Sequence, residues 1–553
     1  MTLSACAPGP PDWMVTARHG MVATDSPFAS AIGRDVLASG GNAIDAATAV
    51  SFALAVCRPQ STGLGGGGFL IYRAGDTGDV LVLDFRETAP AAATADMFTG
   101  VTDGLPSQNG FLAVGVPGLV AGRIDAWRRF GTKPWSELTA PAAVLAREGI
   151  PIDSHYVSAC DEAMEMYRRY PRLLETCGYV YREHLRGGKL PRAGDTLRQP
   201  ALARLIDAIG RDGERAFYEG PVADAIVDAM RGRGGIITHD DLRGYRPTVR
   251  QPLISTYRDV ELILMPPPSS GGICLAQTLN ILERIDLPGL NRQDRATAAH
   301  YVVEAMKYAF ADRARLLGDA DFVDVPVSEL MDKNSARALV LGETARPATD
   351  VTGAGSSAMP GDDAGTSHFC IIDRWGNVVS STETINTSFG SLAAVDEWGL
   401  ILNNEMDDFT ARPGERNAFG LIQSPRNGIE PRKRPLSSMA PTIVLRGGKP
   451  LMVLGASGGP RIISSVLHVL LGIVDYHLDP RAAFQAVRPH HQWLPDTIYF
   501  DRAPAPALAA ALRARGHSIS AEQETGVVQA ILVERSQLIG ISDPRKGGTP
   551  AGY

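Results

Sequence analysis

A threonine at the start of a predicted strand is the first candidate for chemistry in this chain of 553 residues. Thr366 ends a turn-rich stretch and begins a hairpin centred on Trp375. Antiparallel pairing about that turn places Thr366 opposite Thr384, within one residue of register. Thr384 and Asn386 are two residues apart, so their side chains face the same way. The pattern sets a hydroxyl and an amide beside Thr366, although a strand threonine is most often a structural residue.

The chemistry open to Thr366 depends on whether the chain is cut just before it. A threonine at a chain N-terminus can use its own α-amine, with an unperturbed pKa of about 7.7–8.0, as the base for its hydroxyl. Such a nucleophile needs no histidine. Composition does not establish that the Gly365–Thr366 bond is cut, so the hairpin alone leaves this role a hypothesis.

A second candidate nucleophile lies later in the chain. Residues 455–459 read GASGG, which matches the Gly-x-Ser-x-Gly turn of serine α/β-hydrolases between a strand at 451–454 and a helix from Arg461. On this motif alone, a serine α/β-hydrolase with Ser457 as nucleophile is the leading interpretation. The residues that could complete its triad, in the Ser–Asp–His order, are Asp475 or Asp479 and His490 or His491.

Periodicity and turn signals predict the elements that position these candidates. The predicted helices are 28–56 with a break at 39–42, 116–130, 297–317 and 461–476. The predicted strand pairs are 69–73 with 80–85, 367–372 with 378–385, and 442–445 with 451–454. Small, polar and turn-forming residues dominate about 342–365, which predicts an exposed and mobile linker that ends at the candidate threonine.

Composition narrows the class of protein. A net charge of -7 spread along the chain argues against a nucleic-acid partner. The six cysteines are far apart and form no metal-binding cluster. The apolar runs at 46–57 and 462–474 are shorter than the ~20 residues that span a bilayer. Residues 1–26 lack the pattern of a signal peptide, so the sequence predicts a cytoplasmic protein.

Several motifs occur in the order typical of one family. Residues 365–373 read GTSHFCIID and residues 402–409 read LNNEMDDF. Both resemble the small subunit of γ-glutamyltransferases, and the match extends in order over nearly the whole chain. The other matching segments are 376–380, 384–391, 434–439, 441–442, 458–459, 543–545 and 551–553, and in the first half 41–47, 65–69, 84–87 and 266–272.

The resemblance implies an α+β fold, namely a four-layer αββα sandwich of the N-terminal-nucleophile hydrolase type. The precursor would cut itself at Gly365–Thr366, with a strained linker assisting the cut. The large fragment would be residues 1–365 and the small catalytic fragment residues 366–553. The two fragments would share one core as a heterodimer, and neither is expected to fold well alone.

The resemblance also implies a role for each matched residue at the reacting bond. Thr366 would be the nucleophile, and Thr384 would hydrogen-bond it and help to orient or activate it. The backbone N–H groups of Gly458 and Gly459 would form the oxyanion hole, because a glycine pair just before a helix can turn two N–H groups toward one point. Without the resemblance, the glycine pair could equally be a tight turn.

Charged and hydroxyl side chains would hold the head group of the substrate. Arg86 would clamp the α-carboxylate, since a guanidinium group suits bidentate recognition of a carboxylate. Ser437 and Ser438 would donate to the same carboxylate. The residues implied for the α-ammonium group are Asn386, Glu405 and Asp408. From local sequence alone, Arg86 beside its acidic neighbours could be a surface ion pair.

The sequence departs from the pattern of the family at a few points. Ser367 follows the nucleophile where the family more often has a second threonine, and Glu405 stands where some members have glutamine. Residues 410–432 fit a lid loop over the site, with Phe419 where a gating tyrosine can sit. The gate then lacks a hydroxyl, and a more open pocket is expected. Most members are exported, unlike the cytoplasmic protein predicted above.

The implied function is that of a γ-glutamyltransferase. Thr366 would form a γ-glutamyl ester from a small-molecule donor such as glutathione and pass the acyl group to water, an amino acid or a peptide. Similar proteins include acylases that remove glutaryl or aminoadipyl groups from cephalosporins, which is one alternative. A chain that keeps the fold, binds amino acids or peptides and is never cut is another. No metal, organic cofactor, nucleic acid or membrane is implied.

Overall fold

The computed structural model describes residues 13–100, 105–348, 365–412, 414–522 and 525–553. Its strands are β1 (Met14–Ala17), β2 (Met21–Thr24), β3 (Gly67–Arg73), β4 (Val80–Asp84), β5 (Ile150–Pro151), β6 (Thr196–Leu197), β7 (Thr248–Arg250), β8 (Leu253–Tyr257), β9 (Val260–Leu264), β10 (Gly365–Ile372), β11 (Val378–Asn386), β12 (Ala394–Val395), β13 (Leu400–Ile401), β14 (Thr442–Arg446), β15 (Lys449–Ser457), β16 (Pro489–His490), β17 (Ile498–Phe500), β18 (Ile519–Glu522), β19 (Val527–Glu534), β20 (Gln537–Ser542) and β21 (Ala551–Gly552).

The helices lie between these strands in the sequence. They are α1 (Pro27–Ala38), α2 (Ala43–Cys57), α3 (Leu119–Phe130), α4 (Trp135–Glu148), α5 (Ser154–Arg169), α6 (Leu173–Thr176), α7 (Gly178–Glu183), α8 (Pro200–Asp212), α9 (Glu214–Tyr218), α10 (Pro221–Arg233), α11 (His239–Gly244), α12 (Gly271–Leu282), α13 (Leu287–Gln293), α14 (Arg295–Leu316), α15 (Val327–Met331), α16 (Lys333–Ala338), α17 (Arg461–Val474), α18 (Pro480–Gln485) and α19 (Pro506–Ala514). Short 3-10 turns lie at Phe111–Ala113, Arg186–Gly188, Asp396–Trp398, Glu405–Asp408 and Pro425–Asn427.

Two seven-stranded sheets organise the fold. The first sheet has the order β21-β2-β10-β11-β3-β4-β7, and the second has the order β1-β20-β19-β15-β14-β9-β8. Every neighbouring pair in both sheets is antiparallel. In the first sheet, β10 and β11 lie between β2 and β3, so strands from both sides of residue 365 alternate in one hydrogen-bonded layer.

The two sheets pack face to face through β10 and β11 on one side and β15 and β19 on the other. Side chains also hydrogen-bond across this interface: Cys370 Sγ lies 3.4 Å from the Val453 carbonyl oxygen, and Ser380 Oγ donates to the Leu454 carbonyl over 3.1 Å. Helix α2 covers β10 and β11, while α17 covers β15 and β19. The strand that begins with Thr366 is therefore buried on both faces.

The start of α2 is fixed to the tip of the β10–β11 hairpin. Asn42 and Asp45 form a capping box, which satisfies the exposed N–H groups of the first helical turn. The Asp373 carboxylate accepts a further N–H bond from Ala43 over 2.9 Å and one from Trp375 over 2.9 Å. The turn that sets the register of β10 against β11 is thereby held by a helix from the first part of the chain.

Most of the predicted elements are confirmed. The helix predicted at 28–56 appears as α1 and α2 with the break in place, and the predicted strand pairs all form. The helix predicted from residue 116 is wrong at its start, since α3 begins at Leu119. Val116 instead pairs with Thr88 in an antiparallel bridge, which keeps the chain extended there.

The predicted linker falls largely on residues 349–364, outside the described residues. Its first residues, 342–348, are described and are mostly exposed, as predicted, but they are docked by polar contacts. The Gly342 carbonyl oxygen lies 2.9 Å from His300 Nε2, and the Ala348 N–H donates to Asp496 over 2.8 Å. The Arg346 guanidinium lies 3.9 Å from the centre of the Tyr308 ring. The first part of the predicted linker is thus held to the rest of the fold by polar contacts.

None of the helices among the described residues is long and apolar enough to cross a bilayer.

A buried ion pair joins the two sides of residue 365, and its loss should destabilise the fold. Arg123 Nε donates to Glu383 Oε1 over 2.6 Å, and both side chains are almost fully buried. Arg123→Met leaves the carboxylate without its cation, so we expect the free energy of unfolding to fall by about 3–5 kcal/mol. Urea unfolding followed by tryptophan fluorescence measures this loss.

The matched control is Arg128→Met in the same helix. Arg128 pairs with Glu214 over 3.0 Å, but its side chain is 55% exposed, so the loss should be below about 1 kcal/mol. Equal losses of unfolding free energy in both variants would show that the buried pair stabilises the fold no more than the exposed pair does.

Candidate active site

A β-bulge separates Gly365 from Thr366. Thr366 pairs with Thr384 as predicted, while Gly365 pairs with Asn386, so Ile385 is the extra residue of β11. Bulges of this kind re-aim side chains beside active sites. Asn386 has a φ of 81°, a left-handed conformation that asparagine tolerates better than most residues. The bulge brings the Thr384 hydroxyl against the peptide bond that joins Gly365 to Thr366.

The Thr384 hydroxyl makes three hydrogen bonds at this bond. It donates to the Gly365 carbonyl oxygen over 2.5 Å and accepts from the Asn386 N–H over 2.8 Å. Its oxygen lies 3.0 Å from Thr366 Oγ1. Because a hydroxyl has one proton and the Gly365 carbonyl takes it, the Thr366 hydroxyl must be the donor in the contact between the two threonines. The proton of Thr366 therefore points toward Thr384.

The other edge of β10 is held by a lysine near the end of the chain. Lys546 Nζ donates to the Thr366 carbonyl oxygen over 3.0 Å and lies 3.2 Å from Asp25 Oδ2. Ser367 Oγ donates to the same Asp25 oxygen over 3.0 Å. Strand β2 pairs with β10 only from Phe369 onward, so these side-chain contacts take the place of a strand beside Thr366. They fix the backbone of the candidate nucleophile.

The cavity in front of Thr366, which we term the Thr366 cavity, encloses about 310 Å³, part of it open to solvent. It is lined by Arg86, Arg313, Thr366, Thr384, Asn386, Glu405, Asp408, Phe419, Leu421, Ser437, Ser438, Met439, Gly459 and Ile462. Nine of the ten residues predicted for catalysis and substrate binding line this space. Gly458, the tenth, directly precedes Gly459.

The glycine pair lies at the junction of β15 and α17. Gly458 and Gly459 have φ angles of 123° and 55°, which favour glycine. A Cβ on Gly459 would lie 2.9 Å from Phe419 Cδ1, and a Cβ on Gly458 would lie 2.8 Å from the Gly526 Cα. Two successive residues with positive φ just before a helix can present N–H groups on one side, as an oxyanion hole requires.

Arg86 and two carboxylates form the charged wall of the cavity. Arg86 Nη2 lies 2.5 Å from Asp408 Oδ2, and Arg86 Nη1 contacts Glu405 Oε1. All three groups are buried, because Arg86 follows β4 and the acids lie in a 3-10 turn beneath the lid segment 410–432. The interpretation of Arg86 as a surface ion pair is wrong, since its side chain is 1% exposed.

Burial and mutual contact shift the pKa values of this wall. Burial raises the pKa of Glu405 well above its ordinary value, and it also raises the pKa of Asp408, although Arg86 opposes both shifts. Burial acts to lower the pKa of Arg86, but the carboxylates of Glu405 and Asp408 outweigh it and raise that pKa. Burial likewise raises the pKa of Glu87, which lies behind Arg86. A buried acid-rich wall of this kind favours a cationic ligand.

A second set of lining side chains carries hydroxyl groups and another arginine. Ser437 Oγ accepts from the Met439 N–H over 3.1 Å, and Ser438 Oγ accepts from Arg313 Nη2 over 3.2 Å. Each serine thus has a lone pair engaged by the protein, which leaves its proton for another acceptor. The cavity is therefore lined by hydroxyl donors as well as carboxylates.

The lid segment reaches the cavity through Phe419. The Phe419 carbonyl oxygen accepts from Gln492 Nε2 over 3.1 Å, and the Ala418 N–H donates to Asp407 over 2.7 Å. The Phe419 ring is 6% exposed and lies against Gly459. The ring thus packs at the cavity without a hydroxyl, and the expectation of a more open pocket stays a prediction.

The serine-hydrolase interpretation of Ser457 is wrong. A serine α/β-hydrolase is built on a mainly parallel sheet, whereas β15, which ends at Ser457, pairs with antiparallel neighbours on both sides. His490 Nδ1 bonds Ser464 Oγ over 2.9 Å, and burial lowers the pKa of His490 to about 3. The other candidate partners are engaged elsewhere: Asp475 with Tyr257 and Arg258, His491 with Asp496, and Asp479 with the N–H of Ala482.

Two site residues escaped the sequence reasoning. Arg313 belongs to the predicted helix 297–317, where an arginine among alternating apolar residues gives no sign that it is buried. Lys546 follows the 543–545 segment that resembles the family, but nothing in the sequence places it at Thr366. Its position directly after the matching segment 543–545 is the one signal that could have suggested a role for it.

Comparison with known proteins identifies the family of the chain. Residues 29–553 match the gamma-glutamyltranspeptidase family, and the chain belongs to that family. It is 40% identical over 551 residues to the glutathione hydrolase proenzyme of Escherichia coli, covering 98% of this chain and 93% of that protein. It is 37% identical over 551 residues to the acylase ACY 1 proenzyme of a Pseudomonas species, covering 97% and 94% respectively.

The solved structures give the same result for the fold. The cephalosporin acylase from Bacillus halodurans aligns with a TM-score of 0.85 at 26% identity, over 100% of this chain and 99% of that one. The predicted α+β class and the family are thereby confirmed. Relatives with hydrolase names and relatives with acylase names both share the fold, so fold alone does not select the acyl group.

The raised pKa of Glu87 predicts a pH dependence of stability. In the native state Glu87 holds its proton at pH values where the unfolded chain has lost it, so its contribution to stability falls as the pH rises. Each unit of difference between the pKa of Glu87 in the native and the unfolded state corresponds to about 1.4 kcal/mol in the free energy of unfolding. We expect Glu87→Gln to flatten the fall in thermal unfolding midpoint between about pH 5 and pH 7.

Glu534→Gln serves as the control because Glu534 lies exposed at the end of β19. Its melting curve should follow that of the wild type across the same pH range. A Glu87→Gln protein with an unchanged slope would show that Glu87 is ionised in the native state.

Proposed function

We propose that this protein is a γ-glutamyltransferase-type enzyme that cuts itself at Gly365–Thr366 and then transfers γ-glutamyl groups through Thr366. Glutathione is the expected donor, in line with the Escherichia coli relative named a glutathione hydrolase. The observation that carries the proposal is the hydrogen-bonded pair of Thr366 and Thr384 at that peptide bond. Transfer to water or to an amino acid or peptide would complete the cycle.

The contacts of Thr384 account for the first step. Thr366 Oγ1 attacks the Gly365 carbonyl carbon, its proton passes to the Thr384 hydroxyl, and the Thr384 proton passes to the Gly365 oxygen. As this intermediate collapses, the proton on the Gly365 oxygen moves to the Thr366 nitrogen and the C–N bond breaks, which leaves Gly365 as an ester on Thr366 and frees the Thr366 amine. Water then hydrolyses the ester to a carboxylate and the free hydroxyl. No other side chain is needed for the proton balance.

The position of Gly365 also suits this step. A Cβ at residue 365 would lie 2.2 Å from the Thr387 carbonyl oxygen, so only glycine fits at this point of the strand. The close approach of two backbones keeps the Gly365 carbonyl fixed within reach of the Thr384 hydroxyl. The position of the carbonyl is thus set by packing before the reaction begins.

After the cut, the same residues would act on an external substrate. The free α-amine of Thr366 takes the proton of its own hydroxyl as Oγ1 attacks the γ-carbonyl carbon. The N–H groups of Gly458 and Gly459 stabilise the oxyanion, and the leaving amine departs with the proton. The γ-glutamyl ester on Thr366 is then attacked by water or by an acceptor amine, which releases the product and restores the hydroxyl.

The charges of the cavity support an α-amino acid head group. Glu405 and Asp408 would hold the α-ammonium group together with the Asn386 side chain, which lines the same cavity. Arg86 would lie between these acids and the α-carboxylate, and Ser437 and Ser438 would donate to that carboxylate. A head group with one cation and one anion matches a cavity that carries both kinds of anchor.

We also infer the four-layer αββα arrangement and the fragment boundary of the family for this chain. The face-to-face sheets, with α2 on one and α17 on the other, support the layers. Strands from both sides of residue 365 alternate in the first sheet, which supports a heterodimer of residues 1–365 and 366–553 with one core.

Removal of the Thr366 hydroxyl tests the proposal directly. Thr366→Ala should remain a single chain of 553 residues without activity, whereas the wild type should give fragments 1–365 and 366–553. Denaturing gel electrophoresis with intact mass measurement and hydrolysis of γ-glutamyl-p-nitroanilide are the readouts. Normal cutting of Thr366→Ala would remove the basis of the assignment, and an uncut, inactive wild type would favour the binding-protein alternative.

Ser457→Ala is the matched control for a hydroxyl in the same part of the fold. It should be cut like the wild type and keep its activity. Loss of activity in Ser457→Ala alone, with Thr366→Ala still active, would restore the serine mechanism.

Asp408 separates the γ-glutamyl from the glutaryl interpretation, because a glutaryl group has no α-ammonium for it to hold. The wild type should hydrolyse γ-glutamyl-p-nitroanilide faster than glutaryl-p-nitroanilide. Asp408→Asn should lower kcat/KM for the first by about 100-fold and change the second little. Steady-state kinetics on the two anilides give this ratio.

The neighbouring Asp407 provides a control, since it contacts Ser107 and the lid segment and does not line the Thr366 cavity. Asp407→Asn should leave the ratio of the two rates unchanged. A wild type that prefers the glutaryl anilide would support the acylase alternative instead.

A further inference from the structure

Arg313 is a buried cation at the Thr366 cavity with no role assigned so far. It lies on α14, is 3% exposed and lines the cavity. No carboxylate among the described residues lies within 4.0 Å of its guanidinium group. Burial lowers the pKa of Arg313, but a guanidinium group stays charged in proteins. A buried cation with no carboxylate in direct contact is costly, and Asp408 offsets that cost only from beyond 4.0 Å. The retention of Arg313 in a cavity therefore points to a ligand that supplies a closer negative charge.

Two hydrogen bonds of Arg313 lead to the serines that line the cavity. Arg313 Nη2 donates to Ser438 Oγ over 3.2 Å, and Arg313 Nε donates to Ser270 Oγ over 2.9 Å. Ser270 in turn donates to the Ser437 carbonyl oxygen over 2.6 Å. Because arginine can only donate, Ser438 must accept from it and present its own proton elsewhere. Arg313 thus sets the direction in which Ser438 donates and holds the backbone of Ser437.

A third hydrogen bond of Arg313 leads through Gln423 to the backbone of Asp408. Arg313 Nη1 donates to Gln423 Oε1 over 3.3 Å, and Gln423 Nε2 donates to the Asp408 carbonyl oxygen over 3.0 Å. Asn427 donates to the same Gln423 oxygen over 3.0 Å, which fixes the orientation of the amide. One guanidinium group is thereby connected both to the Ser438 hydroxyl and, through Gln423, to the backbone of Asp408.

Arg86 differs from Arg313 in the charge around it. Arg86 is in contact with Glu405 and Asp408, so its positive charge is already matched by carboxylates. The nearest side-chain partners of Arg313 are the neutral oxygens of Ser270, Ser438 and Gln423. An α-carboxylate that enters beside Ser438 would therefore meet a positive charge that no protein acid contacts directly.

We propose that Arg313 is a positioning residue for the α-carboxylate, which orients Ser438 as a donor and fixes the spacing between the two head-group anchors. This inference rests on the proposed function and adds a residue to it. The site would select acyl donors that carry a free α-carboxylate over those that lack one. Arg313 acts through Ser438 and through its charge, without touching the reacting carbonyl.

The test compares two substrates that differ only in the α-carboxylate. The γ-glutamyl anilide carries this group, and the γ-aminobutyryl anilide keeps the amine but lacks it. Arg313→Met should raise KM for the γ-glutamyl anilide by about 50-fold with kcat changed only a few-fold, since hydrogen bonds to charged groups have this weight. KM for the γ-aminobutyryl anilide should rise only a few-fold, through the link from Arg313 to the Asp408 backbone, so the preference between the two substrates collapses.

A conservative substitution of Arg313 gives a readout that would not change if the residue had only a structural role. Arg313→Lys keeps the charge but cannot reach three oxygens at once, so it should restore part of the preference. Arg315→Met is the control on the same helix, because Arg315 is 58% exposed and paired with Asp312. It should behave as the wild type. Both Arg313 variants should still be cut into two fragments, which shows on the same gel that they fold.

Several outcomes would overturn the inference. If Arg313→Met lowers kcat/KM equally on both anilides, or changes neither, Arg313 does not act on the α-carboxylate. If Arg313→Met fails to fold, Ser438→Ala combined with Arg313→Lys decides, since the two losses must be non-additive when they act through one hydroxyl. An active Thr366→Ala protein would overturn the proposed function itself, a result that no Arg313 variant can mimic.

Discussion

The hydroxyl of Thr384 lies between the two residues of one peptide bond, and the chemistry proposed for the protein depends on how its single proton is committed. It gives that proton to the Gly365 carbonyl and accepts from the Asn386 N–H, which leaves only the acceptor role toward Thr366. The bulge at Gly365 creates this arrangement, and the helix α2 fixes the hairpin that carries it. A shift of register by one residue would turn Thr384 to the opposite face and remove it from the site.

The cavity concentrates charge in a place where charge is costly. Two guanidinium groups and two carboxylates face one small space, and most of their surface is removed from water. Such groups lower the stability of a fold unless they are matched to one another or to a ligand. Arg86 is in direct contact with protein acids and Arg313 is not, so charge is matched less closely around Arg313. Tight packing of the surrounding sheets and helices has to offset this cost.

The sequence predicts those parts of the site that depend on local geometry. The opposition of Thr366 and Thr384 follows from a tight turn and the two-residue period of a strand. The glycine pair before α17 follows from a strand-to-helix turn, but the same local pattern also suggested a serine nucleophile. That error arose because a turn carries no information on whether its sheet is parallel.

The remaining features arise from tertiary contacts. Arg313 and Lys546 reach the site from a long helix and from the chain end, and their burial is decided by packing against distant segments. The 3-10 turn that carries Glu405 and Asp408 is also placed by its contact with Arg86, more than 300 residues earlier in the sequence. Burial and charge matching of this kind have no signature in a single sequence, so only the resemblance to a family could suggest them.

The alternation of strands in the first sheet has a consequence for molecules in a mixture. Once the chain is cut, β10 and β11 remain enclosed between β2 and β3, and β21 still pairs with β2 at the edge. Neither piece can leave without breaking the backbone ladders on its flanks. Partners would therefore never be swapped between molecules, and every active heterodimer would descend from one translated polypeptide. A defective copy made in the same cell would not contaminate the intact ones.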